Sequence, residues 1–462
     1  MSSKAIIAET EEEKAERHRV RREEMRADLL RPLEKIHFSG KVWIAFLIVV
    51  ILIGAWGYYQ QLKHGLVVTG LRDYASWGIY ISNFVFFVAV SLVGALISSI
   101  LRLTHFEWYR PLTRIAEIIA VAAITFAGLI IIVDMGRPDR VLNLFTHGRI
   151  QSPILWDVVV VSTYLVTGVL LLYLPLIPGI AICRNKLVNK PKWQRWLYKT
   201  LALGWDGRVE QWEIMKKSIN ILCILVIPLA ISIHTVTAWL FATTLRPGWD
   251  STNFGPYFVS GAFLAGTGCV ILGMAIFRKV YGLQKYITEV HFNNMGKLLV
   301  FLALIYAYFN VNEYLVPAYK MERGEAKLLN DLLVGPTSGL FWTAQILGMA
   351  IPAILLLFKR FRKPNAITVI SLFVVVFAWV KRYLIVTPIL LHPYLPIQNV
   401  PETWKHYYPT FIEMSIVAAS LAGVLLIITL FSRLFPIISI WETLEGEGID
   451  LEEMDQLKNE GK

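Results

Sequence analysis

The chain has 462 residues, 56% of them hydrophobic and 17% charged, with a mean hydropathy of +0.54. That apolar content excludes an ordinary soluble domain and points to a polytopic membrane protein. The net charge of +11 comes from Lys and Arg clustered between apolar runs. This is a topology signal, so the partner it implies is a lipid bilayer and not nucleic acid.

Residues 1–41 are charged and contain ten Lys and Arg. No short apolar run with a small-residue cleavage site follows, so the segment reads as retained and cytoplasmic. Within it, residues 9–35 alternate acids and bases and predict a solvated helix. Ten membrane helices are then expected, at 42–59, 77–101, 112–134, 154–181, 218–243, 257–277, 296–317, 338–358, 366–390 and 410–433. Each is near the ~20 residues that cross the hydrocarbon core. Basic residues concentrate in alternate connections, which puts both termini in the cytoplasm.

The fold class expected is therefore all-α integral membrane. "WGIYISNFVFFVAVSLVGALISSILRL" (Trp77 to Leu103) resembles "FGPYFVSGAFLAGTGCVILGMAIFRKV" (Phe254 to Val280). This weak repeat predicts two parallel four-helix bundles, 77–245 and 254–391. The first helix with its outer loop (42–76) and the tenth helix (410–435) lie outside them. Gly94, Ala95, Gly266 and Gly268 suit close helix packing. Lys192 to Trp212 mixes tryptophans with charges and reads as interfacial. Residues 436–462 read as an acidic cytoplasmic tail, mobile or partner-bound from Glu442.

Charges inside the hydrocarbon region cost roughly 2.5–3.5 kcal/mol each on insertion scales, so those that persist usually face an interior. Helix 3 ends at Asp134, followed by Arg137, Asp139 and Arg140. Helix 4 carries Asp157 about one turn in, and helix 5 carries His234. The three converge on the outer half of the first bundle, near Tyr80, Asn83, His147, Arg149, Gln151, Trp156 and Trp239. Asp134 with Arg137 or Arg140 reads either as a helix-end ion pair or as the rim of a site. Asp157 suits a helix N-terminus electrostatically, and a lone His234 suits hydrogen-bonded packing. Together, an acid, an imidazole and guanidiniums fit the needs of a quinol: an apolar slot, two hydrogen-bonding groups and two proton acceptors.

Asp157 and His234 are the expected catalytic pair. Asp134, Arg137, Arg140, His147, Trp156, Trp239, Tyr80 and Asn83 are the expected quinol contacts. Glu117, with Glu107 nearby, offers the inner start of a proton path through Asp134, Asp157 and His234. In the second bundle Glu313 is expected to pair with Lys381 or Arg382. Cys183, Cys223 and Cys269 show no metal-ligand spacing, and only one histidine is firmly within a membrane helix. No metal, haem or iron–sulfur cluster is therefore expected in this chain. A proton- or ion-translocating transporter and a purely structural anchor remain alternative readings.

"DMGRPDR" after helix 3, with the ten helices and the parallel repeat, resembles the polysulfide reductase membrane-anchor (NrfD-like, PsrC-like) family. "NLFTHGRIQSPILWDVVVVSTYL" and "HTVTAWLFATTLRPGWDSTNFGPYFVSGAF" are similar to the ActC-type subunit of bacterial alternative complex III. The likeness covers about residues 40 to 435. The segment "EYLVPAYKMERGEAKLLNDLLVG" after helix 7 departs from the family pattern. The resemblance implies oxidation of a quinol, menaquinol in particular, at the outer face of a bacterial inner membrane. It implies an iron–sulfur partner subunit docked on the periplasmic side, a homologous membrane subunit, multihaem cytochrome c subunits and a terminal oxidase downstream. It places quinol-site roles on His147 or His234, Asp157 and Asp134, with Arg140 as the charge partner.

Overall fold

A computed structural model describes residues 11–34, 37–104, 110–395 and 397–447. Helix α1 (Glu11–Glu34) precedes α2 (Phe38–His64), α3 (Ile79–Leu103) and α4 (Thr113–Asp134). A short α5 (Asn143–Thr146) leads to α6 (Pro153–Tyr173), which runs through a tight turn at Pro175 into α7 (Ile177–Lys186). Then follow α8 (Lys192–Leu201), α9 (Val209–Ala242), α10 (Phe254–Val280), α11 (Glu289–Lys320) and α12 (Arg323–Leu333). Helices α13 (Ser338–Gln345) and α14 (Ile351–Leu357) are joined by a π-helical turn. Last come α15 (Pro364–Leu390), α16 (Phe411–Leu434) and α17 (Ile440–Gly446).

Among the described residues ten helical spans are long and apolar enough to cross a membrane, one for each predicted span. The protein is all-α. Burial sorts the spans: the window within Ile79–Leu103 is 89% buried, that within α2 only 11%. Helix α3 is the hub, packing on α4, α9, α10 and α15. Helix α2 pairs with α16, and α16 also touches α4.

Small residues set these approaches, as membrane packing requires where lipid offers no hydrophobic gain. A β-carbon on Gly94 would strike the Ala116 carbonyl of α4, and one on Gly266 would strike Val93 of α3. Gly54 faces Ala419 across the α2–α16 seam, and Gly423 faces the ring of Phe126. The π-helical turn Ile346–Ala350 sits just before Pro352, which lacks the N–H that the Gly348 carbonyl would otherwise accept.

One end of the bundle gathers the termini. Arg21 of α1 grips Glu447 at 2.6 Å, with the guanidinium raised above its usual range chiefly by that hydrogen bond. Glu23 meets Lys186, and Lys285 meets Glu24. We call this the inner end, following the expected topology. Two predicted segments differ from expectation here. Helix α1 is not simply solvated, because Met25, Leu29, Leu30 and Leu33 are buried. The start of the acidic tail is core: Ile438, Trp441, Glu442 and Leu444 are buried against the inner end of α3, α4 and α7. The remainder of that tail, residues 1–10 and Glu107 lie outside the described residues. Helix α8 turns Gln194 and Tyr198 inward and leaves Trp193 and Trp196 exposed, as an interfacial helix would.

Candidate functional site

Buried residues on α6 recur at Asp157, Val161, Tyr164, Gly168 and Leu171. That spacing keeps one stripe against α3 and α9. Tyr164 on the stripe donates to the Ser91 carbonyl of α3 at 2.7 Å. Asp157, 2% exposed, sits on the same stripe nearer the outer end. Its Oδ1 accepts from Thr237 Oγ1 of α9 at 2.6 Å. Thr237 also donates to the Ile233 carbonyl of its own helix, so its one proton is shared between two acceptors.

His234 lies one turn deeper on α9. It is fully buried, and neither ring nitrogen has a hydrogen-bond partner among the described residues. It packs beside Phe258 of α10, with ring centroids 5.9 Å apart. Behind Phe258 stands Arg382, its guanidinium 4.6 Å from the ring centroid and donating to the Phe258 carbonyl at 3.1 Å. His234 thus faces the junction of the two helix groups, with a fixed cation beyond an aromatic wall. An apolar crevice of about 620 Å³ opens beside it between α9, α10 and α11, with Trp239, Thr235, Ser251 and Ser260 among its lining.

The other expected contacts do not all converge on this pair. Asp134 Oδ1 is buried without a partner among the described residues. Tyr80 donates to Gln61 at 2.8 Å, and Gln61 in turn donates to the Val133 carbonyl. Asn83 donates to Ser420 and accepts from Trp379. Tyr80 and Asn83 therefore face α2, α15 and α16, away from the Asp157–Thr237 seam. Arg140 is exposed and is not the charge partner expected of it. Gly136 adopts a left-handed φ of 67° and turns the chain out of α4. Beyond it Arg137 engages Asp139 in a two-pronged pair at 3.0 and 3.1 Å. That pair is at the surface, with side chains 63% and 60% exposed. His147 is also exposed, with Nδ1 against the Thr146 hydroxyl, and Trp156 donates to the Ile150 carbonyl.

The expected ion pair of the second group is likewise replaced. Glu313 Oε2 accepts from Ser251 at 2.8 Å and Asn253 at 3.1 Å. Lys381 instead donates to Tyr314 at 2.9 Å and lies 4.7 Å from that ring's centroid, 4.8 Å from Phe341 and 5.9 Å from Tyr257. An aromatic cage holds the ammonium, a geometry in which ring quadrupoles offset lost water.

Sequence reasoning named Glu117 but missed its setting. Arg102 bridges Glu117 at 2.9 Å and Glu442 at 3.1 Å, and Ser98 donates to Glu117. Arg114, buried beside them, donates to the carbonyls of Pro436, Ile438 and Pro175. Also missed was Glu413, fully buried, which accepts from Tyr407, Gly70 N and Thr410 N. Its signal was present in the sequence as Thr410-x-x-Glu413, the pattern of a capping box. Among the described residues no group of three or more His, Cys, Asp or Glu could hold a metal ion.

Ten hydrophobic spans around buried ionisable groups define a polytopic helical membrane protein. The chain belongs to the polysulphide reductase, NrfD family, whose profile matches residues 67–392. It is similar to a Halobacterium salinarum protein named for the membrane anchor of a dimethyl sulfoxide reductase, 31% identical over 71% of this chain and 72% of that one. It is 23% identical to the Hdr-like menaquinol oxidoreductase integral membrane subunit of Archaeoglobus fulgidus, over 88% of this chain and 96% of that one. It is 24% identical to the integral membrane subunit of menaquinone reductase from Nitratidesulfovibrio vulgaris, over 86% and 91%.

Proposed function

We propose that this chain is the quinol-oxidising membrane subunit of a respiratory complex, of the alternative complex III type, with menaquinol as substrate. The observation that carries the reading is His234: a fully buried imidazole whose two ring nitrogens find no partner among the described residues. Such a group in a native interior calls for a ligand. A quinol hydroxyl matches it, and the apolar crevice along α9 supplies room for a ring or tail within a turn of it. Two relatives named for menaquinol and menaquinone support the substrate class.

In this reading one quinol loses two electrons and two protons and leaves as quinone. His234 takes one proton. Asp157, held in orientation by Thr237, takes the other, and both protons leave at the outer end. The chain offers the electrons no redox group of its own. They pass to an iron–sulfur subunit docked at the outer face, then to multihaem cytochrome c subunits and a terminal oxidase, beside a homologous membrane subunit. The setting is a bacterial inner membrane with both termini cytoplasmic, as the basic inner end favours. The test is menaquinol oxidation by the purified complex carrying Asp157→Asn or His234→Leu. Turnover should collapse with all subunits still present, and a tailed menaquinone analogue should bind more weakly to His234→Leu. Unchanged turnover and binding in both variants would overturn the assignment.

A further inference from the structure

The largest cleft among the described residues is far from Asp157. It has a volume of about 1220 Å³ and runs between α10 and α16, floored by α3 and α4. Along α16 its lining extends from Leu421 to Arg433, and along α10 from Cys269 to Lys279. At 1.5 Å per helical residue these are depths of ~18 and ~15 Å. One leaflet of hydrocarbon is ~15 Å deep. The cleft is therefore as deep as the acyl region of a single leaflet.

Its polarity is graded in the same sense. The deep walls are Phe86, Phe87, Val90, Leu421 and their neighbours, with Cys269 as the one polar exception among the described residues. The hydroxyls higher up are already committed: Thr429 donates to Leu425 O and Ser432 to Thr429 O. A quinone head would find no pair of free hydrogen-bonding groups at depth. At the inner mouth stand Arg31, Lys279, Arg433 and His37, against a single acid, Glu34. Arg433 is held over the Tyr281 ring at 5.0 Å and donates to the Pro32 carbonyl, yet its Nε is buried without a partner among the described residues.

We propose that this cleft is a binding site for an anionic phospholipid of the inner leaflet. Its acyl chains lie along Leu421, Leu425 and Ile276. Its phosphate is met by Lys279, Arg31 and the free edge of Arg433. Basic residues near a membrane surface contribute about a fivefold preference each for anionic lipid. Clustering them around a slot of leaflet depth converts that preference into a site. The assignment is independent of the quinol reading.

The test uses the purified complex in phosphatidylcholine nanodiscs doped with spin-labelled phosphatidylglycerol or spin-labelled phosphatidylcholine. Wild type should immobilise the phosphatidylglycerol probe in preference. Lys279→Gln should reduce that selectivity about fivefold, and Lys279→Gln with Arg433→Gln about twenty-five-fold. Arg433→Lys should restore most of it. Leu425→Trp, which fills the slot and leaves the bases in place, should release the probe altogether. The proposal is overturned if Lys279→Gln and Leu425→Trp both leave selectivity as in wild type. It is equally overturned if a cross-linker placed at residue 425 captures a quinone or another subunit's helix and no lipid.

Discussion

Thr237 and Asp157 meet across the α6–α9 seam at 2.6 Å, the one side-chain hydrogen bond at Asp157 among the described residues. The carboxylate is 2% exposed, and no guanidinium among those residues bridges it. Its orientation rests on one hydroxyl that also back-bonds to Ile233. This makes the acid dependent on the rotamer of a neighbour one turn from His234.

Asp157→Asn should lower menaquinol oxidation ~10²–10⁴-fold, the usual worth of a positioned general base. The complex should still assemble, because asparagine retains the shape and can still accept from Thr237. Steady-state turnover on membranes, with assembly checked on a native gel, decides it. Wild-type turnover would sink the catalytic role.

Thr237→Val keeps volume and removes the donor. Losing a hydrogen bond to a charged acceptor costs about 1.5–3 kcal/mol, or roughly ten- to a hundredfold in rate if Asp157 reacts. Thr237→Ser should recover most of the activity. A valine variant as active as wild type would leave Asp157 without this positioning partner.

At the inner end Arg102 is shared by Glu117 and Glu442. Arg102→Met strands two buried carboxylates, and breaking a buried pair costs about 3–5 kcal/mol. A large fall in thermal stability of the solubilised protein is expected. Glu117→Gln should cost less, because Arg102 keeps Glu442. The reverse order would show that the bridge is not organised as described.

Glu313 and Lys381 provide a contrast. With no direct bridge between them, Glu313→Gln should stay within about 1 kcal/mol of wild type, since Ser251 and Asn253 can still donate to the amide oxygen. Tyr314→Phe removes the hydrogen bond from Lys381 and should cost about 1.5–3 kcal/mol. Thermal unfolding of the two variants side by side checks the order.

The membrane spans were legible because runs of ~20 apolar residues have few other uses. The small residues at close approaches were legible for a related reason: Gly94, Gly266 and Gly268 recur where a larger side chain would hold helices apart. Asp157 and His234 stood out by depth alone, since an ionisable group well inside an apolar run is rare. What could not be read was rotation. Asp134 and Tyr80 sit on long helices that are apolar nearly all round, so no polar face marks which neighbour they address. Lys381 was matched to an acid because charge pairing is the simplest inference, whereas its cage is assembled from aromatic residues of three other helices. Arg140 followed a helix end that Gly136 redirects outward. Glu442 looked like tail because composition cannot show that Arg102 and Arg110, more than 300 positions earlier, wait for it.

That last separation bears on how the molecule is made. Arg114 finds its acceptors at Pro436 and Ile438, 322 and 324 residues further along. During synthesis Arg102, Arg114 and Glu117 enter the bilayer long before α17 has been translated. For most of translation these ionisable groups lack the backbone carbonyls and the carboxylate that finally hold them. A chain that stops short of residue 436 therefore carries an open, charged inner mouth, which marks it for proteolytic removal. The final segment acts as a completion seal, and a full-length copy differs from an aborted one in a way that cellular quality control can detect.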